Sequence, residues 1–600
     1  MAYQELNKSV PVLPKRHCTD CLCALLLLAH VAAFIAVAIV GYKKGNPDLI
    51  LYPFDIAGHQ CGRPATVTSD YKYLYFVSPA ELSAYSVCVK HCSDPCGTLF
   101  ITTFVNCTDK SFKMMLPNKS PETNDVYNAS GLLRFCLPEK ISDQTSKFGN
   151  YFGAVAAKLN DSGSLEWAKD IMETWPVVLY VLGASIVFSI LYLLLLRLCA
   201  MVIILLSIVV IICGLVGFGY FLSKEADDDY PSDTQAKAHQ TLKILSYCLY
   251  GGAALFALII LFMWRRIKLA VAITKSAVIF MGEVCNIMII PFLNFLVVVG
   301  MVCFWVFALV YLYSCGSVDS SRTTFNTFGN VKWDNTTRNL FYYEVIGFVW
   351  IIEFKIFLTQ MAIALVVAYW YFDHGDQPKH HHKIFSAYWT AIRYHLGSVA
   401  FAALLLTLVK LVKWFLEYLQ KKVYKQGFAG NPAIKFICGC VGCYVRCFER
   451  FIKFLDKNAL ISIAYSSKSF CASAKDVLVL MVTNAARFVA LGSIGELFSL
   501  LGKTLVTLAS TVFGFYIITQ TYKHDISSPV GPTVVYMMIG YCVSSIFLSV
   551  FETVCDCIII FYLEDERLNG SKASMHAPKP LHDFMDSHRN EEDKTCCCCL

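Results

Sequence analysis

The sequence predicts an all-α, polytopic membrane protein of about ten transmembrane helices with a disulfide-bonded, glycosylated first external loop. Three observations carry that class. Of 600 residues, 56% are hydrophobic and only 16% charged, with a mean hydropathy of +0.54, far too apolar for a soluble enzyme of this length. Many apolar runs reach bilayer length without the alternation that barrel strands would show, so they read as helices whose backbone bonds are satisfied internally. The third is one long polar stretch near the start, rich in cysteine and in Asn-x-Ser/Thr sequons, which marks an oxidising external side. The net charge of +7 does not imply nucleic acid, because Lys and Arg gather beside the apolar runs, where they set topology.

Taken in order, residues 1–21 carry Lys8, Lys15 and Arg16 and are expected in the cytosol. The run at 22–42 has no small-residue cleavage site after it and is expected to stay as an anchor, the first helix. The loop at 43–175 holds Cys61, Cys88, Cys92, Cys96, Cys107 and Cys136, with sequons at Asn106, Asn118, Asn128 and Asn160. Six cysteines in such a loop are expected to pair, and they allow fifteen connectivities. Residues 176–222 read as two helices in a tight hairpin at Arg197, followed by an acidic external loop at 223–243. Residues 244–313 hold two more helices, about 244–264 and 287–313, joined by a cytosolic linker that begins at Arg265, Arg266 and Lys268 and is expected as a surface helix. The loop at 314–339, with Cys315 and a sequon at Asn335, is external.

Helix six is the stretch at 340–372, which exits into a His-rich cytosolic loop at 373–394, and helix seven is 395–419. In the basic, Cys-rich region 420–494 two arguments conflict. Its Lys and Arg content favours the cytosol, whereas alternation after helix seven puts its start outside. One further weak crossing between Ala433 and Phe470, followed by a cytosolic amphipathic helix near Lys475 to Ala490, satisfies both. Helices nine and ten occupy 495–562, and 563–600 is a cytosolic tail ending in CCCCL. Cys597 and Leu600 formally fit a prenylation box with the wrong intervening residues, so Cys596, Cys597, Cys598 and Cys599 are candidates for reversible palmitoylation.

No cofactor, metal or enzymatic chemistry is expected. Three adjacent histidines, His380 to His382, lack fixed tetrahedral geometry, and Cys438, Cys440, Cys443 and Cys447 lack histidines or separated CxxC pairs. There is no GxxxxGK[ST], HExxH, GxSxG or TVGYG motif.

Chemistry concentrates in the stretch 340–372, which carries Glu353 and Lys355 near its middle. A carboxylate at bilayer depth costs on the order of 2.5 kcal/mol or more and faces a partner, a cavity or a ligand. Trp350, Phe354, Tyr342 and Tyr343 surround Glu353 in sequence, and aromatic faces beside a carboxylate suit an organic cation. Lys355, two residues on, lies on a different helix face and is not its direct partner.

Several separated motifs then carry a resemblance. Cys18-Thr19-Asp20 before the first helix, Gly45 to Pro53, and Cys88-Val-Lys-His-Cys92 resemble the choline transporter-like family (solute carrier family 44). So do Tyr394-His-Leu-Gly-Ser398, Lys457-Asn-Ala459, Ser469 to Asp476, Leu501-Gly-Lys503 and Phe547 to Val554. The resemblance spans nearly the whole chain and is nearer its choline and ethanolamine branch. It implies both tails in the cytosol and transport of choline and similar small organic cations across plasma and organelle membranes, including mitochondrial ones.

Choline has a permanent charge and no N–H donor, so aromatic faces and carboxylates are what can hold it. Glu353 and Trp350 share a helix face, Tyr343 falls on the same stripe seven residues before Trp350, and Trp305 on helix five is a facing wall. Gln360, seven beyond Glu353, could meet the choline hydroxyl. Glu552 and Asp556 on helix ten form a possible second acidic site. The expected mechanism is a carrier with alternating access, with proton coupling open. A cation-permeable channel and a non-transporting receptor or scaffold glycoprotein are the other classes.

Overall fold

The computed structural model describes residues 16–583 apart from 56–57, 78–85, 101–104, 109–110, 115–121, 127–128, 133, 139–173, 226–232, 263, 319–330, 373–383, 426–431, 523–528 and 570–576. The sequons at Asn118, Asn128 and Asn160, the three adjacent histidines and Cys596 to Cys599 lie outside the described residues.

The chain is a bundle of long helices capped at one end by a small β-rich unit. Helix α1 (Cys21–Lys44) leads into that unit. It contains strands β1 (Tyr73–Phe76), β2 (Ser86–Val89), β3 (Val105–Thr108), β4 (Ser111–Met114), β5 (Glu122–Asp125), β6 (Ala129–Leu132) and β7 (Phe135–Pro138). They form a four-stranded sheet in the order β2-β1-β7-β6 and a three-stranded sheet β3-β4-β5. Alternate residues of β1 serve two small cores: Tyr73 and Tyr75 pack in one, Leu74 and Phe76 in the other. All six loop cysteines pair, as Cys61–Cys88, Cys92–Cys136 and Cys96–Cys107, and these staples support a unit too small to bury a large core. Disulfides belong to the oxidising side, so this end of the bundle is the outer one.

The helices that follow are α2 (Trp175–Glu225), α3 (Asp233–Phe262), α4 (Trp264–Glu283), α5 (Ile290–Tyr313), α6 (Asn335–Phe372) and α7 (Ile384–Lys425). A two-stranded ribbon of β8 (Ser317–Val318) and β9 (Val331–Lys332) joins α5 to α6. After α7 come α8 (Pro432–Ser466), α9 (Phe470–Thr483), α10 (Ala485–Thr521) and α11 (Val530–Asn569). Among the described residues, seven helices are long and apolar enough to cross a bilayer, or eight if the pair α3–α4, bent by 75°, counts as one span.

Three expectations are corrected. The hairpin at Arg197 is one continuous helix, α2, because Leu196-Arg-Leu-Cys-Ala200 contains strong helix formers and no Gly or Pro to break it. The linker after Arg265 and Arg266 is not a surface helix: Ile267, Ala270, Val271, Phe280 and Met281 of α4 are buried in the main core. The amphipathic helix near residue 475 is α9, which ends at Thr483, before α10 begins.

Helix α8 returns along α7. The Gln420 amide donates to the Cys438 carbonyl at 2.8 Å and Lys413 pairs with Glu449 at 2.8 Å. At the other end, Arg16 bridges His395 of α7 and the Ala464 carbonyl of α8. On α8, Ala459, Leu460, Ile461, Ile463 and Ala464 are buried and apolar, while Cys440, Cys443 and Cys447 are exposed free thiols. The main core joins α2, α4, α6, α7, α8 and α11. Lipid supplies no hydrophobic drive between helices, so close packing depends on small residues. Ala364 and Ala368 on α6, Ala391, Ala402 and Ala403 on α7, and Ala459 and Ala464 on α8 provide it.

At the inner end a short segment ties the bundle together. Asp20 has a left-handed backbone (φ 54°, ψ 40°), which an Asp tolerates better than most residues. Its Oδ2 accepts from the Ser398 hydroxyl at 2.6 Å and from the Phe470 amide at 3.0 Å, which satisfies an orphan donor at the start of α9. Thr19 N–H donates to the Tyr394 carbonyl at 3.2 Å. Gly397 makes this approach possible, since a Cβ there would lie 2.2 Å from the Asp20 carbonyl oxygen. The sequence motifs Cys18-Thr19-Asp20, Tyr394 to Ser398 and Ser469 to Asp476 thus meet at one place.

Candidate functional site

Asp334 begins the site by capping α6: its Oδ1 accepts the Thr337 amide at 3.1 Å. From that start the outer half of α6 crosses α1 at His30. The Tyr343 hydroxyl lies 2.8 Å from His30 Nδ1, and His30 Nε2–H donates to the Gly347 carbonyl at 3.2 Å. Gly347 is required, because a Cβ there would sit 2.6 Å from the imidazole. The Trp350 ring packs on the same imidazole, centroid to centroid 4.8 Å, and its indole N–H donates to the Ala400 carbonyl of α7 at 3.3 Å.

Trp305 of α5 completes the group. Its ring lies parallel to Phe348 at 4.5 Å, and its N–H donates to the Glu344 backbone carbonyl at 3.3 Å. Phe348 in turn stacks on Phe34 of α1 at 6.3 Å. Three of the five residues expected at the site, Tyr343, Trp350 and Trp305, are therefore gathered on His30 and Phe34 where α1, α5 and α6 meet.

The other two stand apart. Glu353 is buried, but it is not free: it forms an ion pair with Lys410 of α7. Lys355 is not its partner, as the helix geometry requires, and instead donates to Asn294 of α5 and to Thr359 at 3.1 Å. Gln360 faces a cavity of about 300 Å³ between α5, α6 and α11, whose polar lining includes Asn294, Lys355, Thr359, Ser549 and Thr553. Its Oε1 has no hydrogen-bond partner among the described residues. With the Lys355 ammonium on its wall, this cavity repels a cation and is a poor home for one. In the possible second acidic site, Glu552 pairs with Lys503 at 2.8 Å and Asp556 with Lys457, so both carboxylates cross-link helices.

Two carboxyl groups went unrecognised in the sequence. Glu344 is fully buried with neither carboxyl oxygen partnered among the described residues, and the same holds for Asp456 on α8. Glu344 had a signal, being a second acidic residue inside the stretch 340–372. Asp456 had none, since it sits in a strongly charged amphipathic run. Among the described residues, no group of three or more His, Cys, Asp or Glu could hold a metal. Of the sequons within the described residues, Asn106 on β3 and Asn335 at the start of α6 are exposed.

A family profile described as plasma-membrane choline transporter matches residues 247–567. The chain is 28% identical over 625 residues to choline transporter-like protein 2 of Dictyostelium discoideum, covering 97% of this chain and 96% of that one. It is also 28% identical over 669 residues to choline transporter-like protein 4 of Rattus norvegicus, with 94% of each covered. To choline transporter-like protein 4 of Homo sapiens it is 27% identical over 660 residues, covering 93% of this chain and 92% of that one.

Proposed function

The chain belongs to the choline transporter-like family, and we propose that it carries choline, and with it the smaller primary ammonium ethanolamine, across the membrane by alternating access. One observation carries the reading: Tyr343, Trp350 and Trp305 converge with His30, Phe34 and Phe348 on the helix that also bears Glu353. A quaternary ammonium offers no N–H, so aromatic faces and a carboxylate are the groups that bind it.

Glu353 serves this cycle by exchange. A bound cation takes the carboxylate and releases Lys410, whose side chain is a quarter exposed and can turn toward water. When the cation leaves, Lys410 returns and the carboxylate is never left bare in a low-dielectric wall. The membrane potential favours inward movement of the cation by about 2.3 kcal/mol per 100 mV. The inner end is held shut by the Arg16–Asp20 segment, so release to the cytosol requires those bonds to part. Coupling to protons is the version in which a carboxyl takes up a proton as choline departs.

Radiolabelled choline and ethanolamine uptake in proteoliposomes tests the reading. Saturable uptake with counterflow of labelled choline is expected. Conductance without counterflow would make the protein a channel, and no uptake would leave a receptor or scaffold. Uptake that ignores an imposed pH gradient removes the proton-coupled version. Glu353→Gln with unchanged choline affinity at normal expression removes the exchange step.

A further inference from the structure

Helix α6 carries two buried carboxyl groups, nine residues or about 13 Å apart along its axis. The inner one, Glu353, has Lys410. The outer one, Glu344, is 0% exposed and has no hydrogen-bond partner on either oxygen among the described residues. A buried carboxylate without a partner is strongly disfavoured, so this group is either neutral by protonation or balanced by a cationic guest.

The residues near it do not supply a counter-charge. His30 spends both ring nitrogens on α6, Nε2 on the Gly347 carbonyl and Nδ1 on the Tyr343 hydroxyl. Trp305 gives its N–H to the Glu344 backbone carbonyl and not to the carboxyl group, which fixes the indole at the backbone of that residue while leaving the acid unsatisfied. The indole lies flat against Phe348, one helical turn beyond Glu344. A buried carboxyl group with no protein cation paired to it, on a residue whose backbone anchors an indole, is a combination suited to an organic ammonium ion.

We infer that Glu344 is an outer binding carboxylate for a small organic cation, flanked by Trp305 and Tyr343, from which the cation passes along α6 to Glu353. This rests on the transport reading above and adds to it a first station on the outer side. Because Glu344 is occluded in this conformation, the cation reaches it when α1 and α5 separate from the outer half of α6.

Two measurements on the full-length protein in nanodiscs and in proteoliposomes test the inference. In the first, choline is added to purified protein and the thermal unfolding midpoint is followed. Wild type is expected to gain stability with choline, Glu344→Gln to lose that response at least tenfold in choline concentration, and Glu344→Asp to regain part of it. In the second, choline uptake by Glu344→Gln is expected to show at least a tenfold higher KM, with Trp305→Leu weaker in the same direction and Trp305→Phe, which keeps a ring but loses the anchoring N–H, raising KM less than Trp305→Leu. A purely structural acid gives a different pattern: Glu344→Gln raises the midpoint without ligand and leaves the choline response and KM unchanged, which overturns the proposal. If wild type binds choline through Glu344 but shows no uptake, the transport reading fails and the binding site stands.

Discussion

From Met361 to Ala368 every residue of α6 is buried, and the helix continues buried through Trp370, Tyr371 and Phe372, packed on Phe561 of α11 and Tyr465 of α8. From Asn335 to Ile352 the same helix is mostly half-buried or exposed, and its contacts are hydrogen bonds and ring faces shared with His30, Phe34 and Trp305. The inner half is a close-packed seal that cannot deform without opening voids, whereas the outer half is held by contacts that can be exchanged one at a time. A carrier built on this helix would move α1 and α5 against its outer half, and would open its inner end by releasing the tie around Asp20 without repacking the core.

Four substitutions break or sharpen that contrast. The largest effect is expected at the boundary between the halves. Lys410→Met strands the buried Glu353 charge and should cost about 2–3 kcal/mol, allowing for the partial exposure of Lys410, with Glu353→Gln in the same chain restoring part of the loss. Thermal unfolding of the two single variants and the double variant measures it. Next is the inner tie: Asp20→Ala removes acceptors from Ser398 and the Phe470 amide and should cost about 2 kcal/mol. Thiol labelling of Cys471, one residue from that amide, should then speed up.

A smaller effect is expected from Trp350→Phe, which keeps a ring on His30 but gives up the bond to the Ala400 carbonyl, at about 1 kcal/mol. The smallest is Asp334→Ala at the outer tip, read as faster hydrogen exchange in the first turn of α6. Hydrogen bonds from Thr337 hold the Asp334 carboxyl below its usual range. Its contribution is therefore present at neutral pH and fades only as pH falls through that depressed value, so acid should reproduce the substitution.

The contrast also shows what a sequence can and cannot disclose. Helical period placed Tyr343 and Trp350 on one stripe and excluded Lys355 as a partner of Glu353, and both hold because they depend only on the geometry of one helix. The true partner, Lys410, lies 57 residues away on α7, and no local periodicity says which helix will face Glu353. Glu344 was visible as a letter, but its isolation is a property of three helices together. In the external unit the six cysteines were legible as a disulfide set, while their connectivity waited on two small sheets formed by four-residue strands too short for a clear alternating pattern. The absent hairpin at Arg197 is a simpler lesson: hydropathy counted two spans where the helix-forming residues between them permit one rod.

The tie at Asp20 has a consequence for how the chain is made. Its partners Ser398 and Phe470 lie 378 and 450 residues downstream. At ribosomal speeds of 5–20 residues per second, on the order of 20–90 s separate synthesis of Asp20 from synthesis of the amide it will accept. For that interval the first helix sits in the bilayer with its inner end unfinished, and only the late arrival of α9 completes it. The bonds of Asp20 therefore close only after the chain has been extended through α9.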